Sequence, residues 1–133
     1  MTGDMKPADE PGFLHARIRS FRFAFRGIAT LIRTQPNARI HLVATILVIV
    51  AGLALRVRAG EWALLACAIG IVWTAEAANT ALEALANRIT TDIDPQIRRA
   101  KDVAAGSVLL ASITAAAIGL LVLGPRLWAQ IAR

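Results

Sequence analysis

A stripe of polar side chains lies inside one of the most apolar stretches of the chain, residues 62–86. Glu76, Asn79 and Glu83 follow one another at intervals of three and four residues, so in an α-helix they share one face. A stretch this long and apolar predicts a membrane-spanning helix. An ionised side chain near the bilayer centre costs roughly 3 kcal/mol on insertion scales, so a functional role is favoured over a structural one. Carboxylate and amide oxygens on one face favour a hard cation such as magnesium.

The composition of the whole chain also indicates a membrane protein. Of the 133 residues, 56% are hydrophobic, and the mean hydropathy of +0.57 is too high for an ordinary soluble domain of this size. The net charge of +6 would suggest a nucleic-acid partner in a soluble protein. Here the basic residues flank apolar segments, which favours the membrane surface and predicts no nucleic-acid partner.

The hydrophobic pattern predicts an all-α membrane protein with one domain, residues 13–133. Residues 1–12 are polar and are expected to be disordered. In residues 13–35, apolar side chains recur at helical spacing among arginines. This pattern favours an amphipathic helix in the membrane interface over one packed on protein. Three transmembrane helices are predicted from the apolar runs, at residues 37–58, 62–86 and 103–123. The last is expected to stop at Gly124-Pro125.

The distribution of positive charge predicts the orientation in the membrane. Eleven lysines and arginines lie in the N-terminal region up to Arg39 or in the 88–102 connection, against four on the other side. The side with more positive charge is normally cytoplasmic. We therefore expect a cytoplasmic N-terminus and a cytoplasmic 88–102 connection. The polar stripe then lies in the cytoplasmic half of the second span, where a nucleotide could reach it.

These residues have the chemistry that phosphoryl transfer needs. Glu76 and Glu83 offer carboxylates for a metal or a proton, and Lys101-Asp102 opens the third span after the cytoplasmic connection. The sequence contains no Walker A loop and no protein-kinase motif. From the spacing alone, a proton or ion pathway is equally reasonable.

Two motifs make the chain resemble a known family. Glu76-Ala-Ala-Asn79-Thr80-Ala-Leu-Glu83, followed by Ala100-Lys101-Asp102-Val-Ala-Ala105-Gly106, resembles the prokaryotic diacylglycerol kinases, which include the undecaprenol kinases. The resemblance covers nearly the whole chain from Phe13. It implies ATP-dependent, magnesium-dependent phosphorylation of a lipid hydroxyl, of undecaprenol or diacylglycerol, at the cytoplasmic face of the bacterial inner membrane. It also implies a homotrimer with active sites between subunits.

The resemblance further assigns roles to individual residues. Glu76 is similar to the catalytic base that accepts the hydroxyl proton, and Glu83 to the metal-binding carboxylate. Asn79, Lys101 and Asp102 resemble residues of the nucleotide and cofactor site.

Two positions depart from the family pattern, and both lose a charge while keeping an oxygen. Gln35 stands where the family usually has a metal-binding glutamate, and Asn87 stands where an aspartate is usual. Gln35 is retained as a candidate metal ligand. His41 could be a compensating ligand, although a histidine facing the interface at a helix end is favoured. The alternative function is therefore a catalytically weak or inactive family member, which acts as a membrane oligomer or an ion pathway.

Overall fold

A computed structural model describes residues 13–89 and 94–132, so the expectation for residues 1–12 lies outside the described residues. It contains four helices: α1 (Phe13–Thr34), α2 (Pro36–Ala54), α3 (Ala59–Ile89) and α4 (Pro95–Ile131). By length and composition, α2, α3 and α4 can each cross a membrane. The predicted all-α class with three spanning helices and one further N-terminal helix is thereby confirmed.

The junction between α1 and α2 is a sharp change of direction at one residue. Gln35 has an extended backbone (φ −104°, ψ 118°), and Pro36 occupies the first turn of α2, where its missing N–H costs nothing. Arg39 reaches back to the end of α1, where its Nε donates to the Ile32 carbonyl at 3.2 Å and its Nη2 to the Arg33 carbonyl at 2.6 Å. These bonds satisfy carbonyls that the helix end leaves free, and so fix α1 against α2.

The apolar face of α1 is mostly uncovered by the rest of the chain. Phe21, Phe25 and Ile28 are exposed, whereas Leu31 near the end of the helix is buried. Exposed aromatic and aliphatic side chains opposite arginines suit a membrane interface. The interfacial position of α1 stays a prediction.

Among the described helices, α3 and α4 make the most extensive contact, and α2 packs against both α3 and α1 and touches α4 less. Apart from two polar residues of α3, the buried side chains are small or aliphatic, among them Leu65, Ala68 and Val72 of α3 and Val108 and Ala111 of α4. Most large apolar side chains of the three helices point outwards. Such a surface requires lipid or further subunits to cover it. The predicted homotrimer would supply subunits, and it stays a prediction.

Close packing at the α2–α3 pair depends on a glycine. Gly52 is buried, and a Cβ atom at this position would lie 2.7 Å from Cη2 of Trp62. The indole therefore occupies the space that any side chain at Gly52 would need. Trp62 packs between the two helices at the same end of the molecule as the turn that joins them.

That turn begins earlier than the sequence predicts. The first span was expected to extend through residue 58, but α2 ends at Ala54 and Arg56 has a left-handed backbone (φ 51°). The reversal needs several residues outside the helix. Glu61 stabilises the turn, because its Oε2 accepts a hydrogen bond from the Arg58 amide at 2.8 Å.

The expected end of the last span at Gly124-Pro125 is wrong for the helix, because α4 continues to Ile131. Proline removes one backbone hydrogen bond, but the next residue anchors the helix. Arg126 forms a two-pronged ion pair with Glu61, with Nη2–Oε2 at 2.5 Å and Nε–Oε1 at 3.1 Å. Its Nη1 also donates to the Leu55 and Arg56 carbonyls at 3.3 and 3.1 Å. This contact joins the end of α4 to the α2–α3 turn.

At its other end, α4 begins well before the predicted span. Asp94 caps the helix, because its carboxylate accepts hydrogen bonds from the amides of Gln96 and Ile97 at 2.7 and 3.2 Å. The polar residues 95–102 are therefore helical. With 31 and 37 residues, α3 and α4 both exceed the roughly 20 residues that cross a bilayer core.

Candidate active site

The polar stripe of α3 is buried within a single chain. The side chain of Glu76 is 1% exposed and Asn79 is 7% exposed, while Glu83 is half-buried one turn further on. Nδ2 of Asn79 donates a long hydrogen bond of 3.4 Å to Oε1 of Glu83. The three side chains line one wall of a cavity of about 290 Å³ between α2, α3 and α4. The structure therefore brings together the three stripe residues that the helical spacing placed on one face.

The other walls of this polar cavity come from α2 and α4. Asn37, Ile40 and His41 line it from α2, and the α4 residues are Ala105, Val108, Leu109 and Ser112. His41 does not face the interface as the sequence analysis favoured, because its side chain is only 15% exposed. Its Nε2 lies 4.0 Å from Oε2 of Glu76. The contact between α2 and α3 turns this histidine inwards.

Several buried polar atoms at the stripe have no hydrogen-bond partner among the described residues: His41 Nε2, Glu76 Oε2, Asn79 Oδ1 and Thr80 Oγ1. A buried polar atom without a partner costs about 1–3 kcal/mol, and more when it carries charge. Three of these residues, His41, Glu76 and Asn79, line the polar cavity, so their free atoms are expected to meet a ligand there.

The oxygens of Glu83 and Asn79 fit a magnesium ion. A carboxylate and an amide oxygen are hard donors of the kind that magnesium prefers, and the two side chains are in contact with each other. No three His, Cys, Asp or Glu side chains within residues 13–89 and 94–132 are grouped as a complete metal cage. Magnesium in kinase sites needs only one or two carboxylates, because substrate phosphates supply further ligands. The donor set therefore suits a metal that binds together with a nucleotide.

Lys101 lies near the polar cavity but not in its wall. It precedes Ala105 and Val108 on the same face of α4, one turn from the residues that line the cavity. Its Nζ donates to Oδ1 of Asn87 at 2.6 Å, a bond that links α4 to the end of α3. Asp102 is exposed and is not among the lining residues.

Gln35 is not among the lining residues of the polar cavity either. It is half-buried at the α1–α2 junction, and Asn37 is the nearby side chain that lines the cavity. Asn37 was not predicted from the sequence as a site residue. Its position four residues before His41 places both on one face of α2, which was the available signal.

A second, apolar cavity of about 670 Å³ lies between the same three helices. Most of the side chains that line it are aliphatic or small. Three lining residues are shared with the polar cavity: Ile40, His41 and Ser112. Beside it, Trp73 Nε1 donates to Thr45 Oγ1 at 3.1 Å, and that hydroxyl donates to the His41 carbonyl at 2.7 Å. The molecule thus has an apolar compartment and a polar compartment with His41 in the shared wall.

Comparison with known proteins connects this arrangement to a family. The family model of prokaryotic diacylglycerol kinase matches residues 22–123. The undecaprenol kinase of Bacillus subtilis is 33% identical over 123 residues, which cover 92% of this chain and 100% of that protein. A diacylglycerol kinase of Synechocystis is 39% identical over 101 residues, 75% of this chain and 58% of that protein. With three helices able to span a membrane, the chain is a multi-pass membrane protein that belongs to the prokaryotic diacylglycerol kinase family, a family of lipid kinases.

Proposed function

We propose that the protein uses magnesium and ATP to phosphorylate the hydroxyl of a membrane lipid at the cytoplasmic face of the bacterial inner membrane, as a homotrimer. The observation that carries the proposal is the buried Glu76 carboxylate. It faces the polar cavity and lies beside His41, which also lines the apolar cavity. A lipid alcohol has this same division into a polar end and an apolar body.

In the proposed reaction, Glu76 is the general base. The acceptor oxygen forms a bond to the γ-phosphorus of ATP, and the bond between that phosphorus and the bridging oxygen of ADP breaks. The hydroxyl proton passes to Glu76 Oε2, the atom without a partner among the described residues. Helix α3 holds the carboxylate within the packed bundle, so the base needs little reorganisation before transfer.

We assign the remaining stripe residues to binding of the ATP phosphates and their metal ion. Glu83 and Asn79 would hold magnesium, with Gln35 as the candidate ligand at the α1–α2 junction. Magnesium, when bound, neutralises the negative charge of the phosphate oxygens. The hydrogen bond between Asn79 and Glu83 orients both side chains towards the cavity.

Lys101 and Asp102 are proposed to contact the nucleotide. Lys101 is one turn from the cavity wall, and its partner Asn87 is a neutral amide. An aspartate there would neutralise the ammonium group, whereas asparagine positions it and leaves its charge available to phosphate oxygens. The departure from the family pattern at Asn87 is thus compatible with nucleotide binding.

The direct test offers two lipids side by side. Purified protein in micelles is given labelled ATP and magnesium with undecaprenol, with diacylglycerol, or with no lipid. We expect labelled lipid phosphate that depends on both magnesium and the lipid alcohol, and the better acceptor identifies the substrate. Absence of phosphorylated lipid in both samples would favour the alternative, an inactive family member that acts as a membrane oligomer or an ion pathway.

The orientation of the site can be tested by labelling. In a Cys67→Ala background, a Gln96→Cys substitution should react with an impermeant thiol reagent only from the cytoplasmic side. Gln96 is exposed in the first turn of α4, at the stripe's end of the bundle. An Ala59→Cys substitution, at the exposed start of α3, is the matched control and should react only from outside. If Gln96→Cys reacted only from outside and Ala59→Cys only from the cytoplasm, the site could not meet cytoplasmic ATP and the proposed orientation would be wrong.

A further inference from the structure

The atoms that face each other across the shared wall are too far apart to satisfy one another. His41 Nε2 and Glu76 Oε2 are 4.0 Å apart, beyond the 2.7–3.2 Å range of an N–H···O bond. Both are buried without a partner among the described residues. One oxygen atom placed between them can lie at roughly 2.8 Å from each, which is ordinary hydrogen-bond length. The gap therefore fits a single hydroxyl group.

We infer that His41 binds the acceptor hydroxyl, and with Glu76 holds it for phosphoryl transfer. The inference rests on the proposed function, because it takes Glu76 as the base. It adds a second contact to the reacting oxygen. The residue that makes this contact lies outside both family motifs, so the motifs assign it no role.

The two contacts use different parts of the hydroxyl group. The N–H at Nε2 of His41 donates to one lone pair of the acceptor oxygen, and the hydroxyl hydrogen points to Glu76 Oε2. The second lone pair is then free to attack the γ-phosphorus. No proton moves to or from His41 in this step. The hydrogen bond from His41 fixes the rotation of the hydroxyl group, so that the hydroxyl proton faces the base.

The location of His41 suits this role because it lines both compartments. A lipid in the apolar cavity that reaches the polar cavity must pass the wall shared by Ile40, His41 and Ser112. The hydrogen bonds from Trp73 to Thr45, and from Thr45 to the His41 carbonyl, hold this turn of α2 against α3. The histidine is therefore placed relative to Glu76 by contacts that do not involve its ring.

Two substitutions separate hydrogen bonding from packing. His41→Met keeps a flexible side chain of similar length without a donor, whereas His41→Gln retains an N–H donor near the position of Nε2. A neutral hydrogen bond changes an equilibrium or rate by about tenfold, so His41→Met should lower kcat/KM for the lipid about tenfold. His41→Gln should recover most of that loss. Magnesium-ATP affinity and oligomer mass should stay unchanged in both variants, and Thr114→Val, on the exposed side of α4, is the control.

A lipid analogue in which hydrogen replaces the hydroxyl gives the sharper measurement. If His41 contacts only the hydroxyl, the analogue should inhibit wild type and His41→Met with the same inhibition constant. If His41→Met weakens the analogue as much as it weakens the substrate, or if His41→Gln is no better than His41→Met, the histidine only packs and the inference is overturned. Should His41→Met fail to fold, the same comparison of substrate and analogue is made with His41→Leu, a second variant without a donor, and an equal loss for both ligands again overturns the inference.

The test also distinguishes this inference from the proposed function. If Glu76→Gln kept full turnover, Glu76 would not be the base and the proposed mechanism would be wrong. Slow turnover by Glu76→Gln, together with a wild-type kcat/KM for His41→Met, would refute the role of His41 alone.

Discussion

Glu76→Gln is expected to slow phosphoryl transfer by about 10²–10⁴-fold, the usual contribution of a general base. The amide keeps the size of the side chain but cannot accept the hydroxyl proton at neutral pH. Magnesium-ATP binding should change much less, because Glu83 and Asn79 remain. Single-turnover measurements with labelled ATP and saturating lipid isolate the chemical step from lipid binding.

A carboxylate at the far end of the same helix provides the matched control. Glu61→Gln removes the negative charge that pairs with Arg126, remote from the polar cavity. We expect it to reduce stability but to retain the rate of transfer per folded molecule. If Glu76→Gln instead loses magnesium-ATP binding and keeps its residual chemistry, Glu76 is a metal ligand and the roles of the two stripe glutamates are exchanged.

Glu83→Gln is expected to abolish magnesium-dependent turnover while the protein stays folded. The substitution removes one unit of ligand charge from the stripe and preserves its shape. The Asn79 amide can still donate to the remaining carbonyl oxygen, so the local hydrogen bond survives. Charge neutralisation by a metal contributes several kcal/mol to phosphoryl transfer, which corresponds to a loss of orders of magnitude in rate.

The measurement is turnover across a magnesium titration, with oligomer mass recorded for the same samples. Glu61→Gln again serves as the control, since its magnesium dependence should match that of wild type. An unchanged titration for Glu83→Gln would show that this carboxylate is not a metal ligand. Gln35 and Asn37, at the start of α2, would then be the next candidates for a metal ligand.

The sequence alone determined the components that depend on one helix at a time. The intervals between Glu76, Asn79 and Glu83 place them on one face in any α-helix, and the structure has them there. Three apolar runs of membrane length predicted three spanning helices, because each must satisfy its backbone internally. The paired motifs also identified the family, which the comparisons confirm.

Contacts between helices were decided only by the tertiary structure. His41 looked like an interface residue from its place near a helix end, but packing of α2 on α3 brings it to Glu76, 35 positions later in the chain. Proline predicted an end to α4, yet the pairing of Arg126 with Glu61 anchors the helix beyond it. Local sequence encodes helical periodicity and the cost of a lost hydrogen bond. It does not encode which faces of separate helices meet, and at this site that choice places the histidine beside the carboxylate.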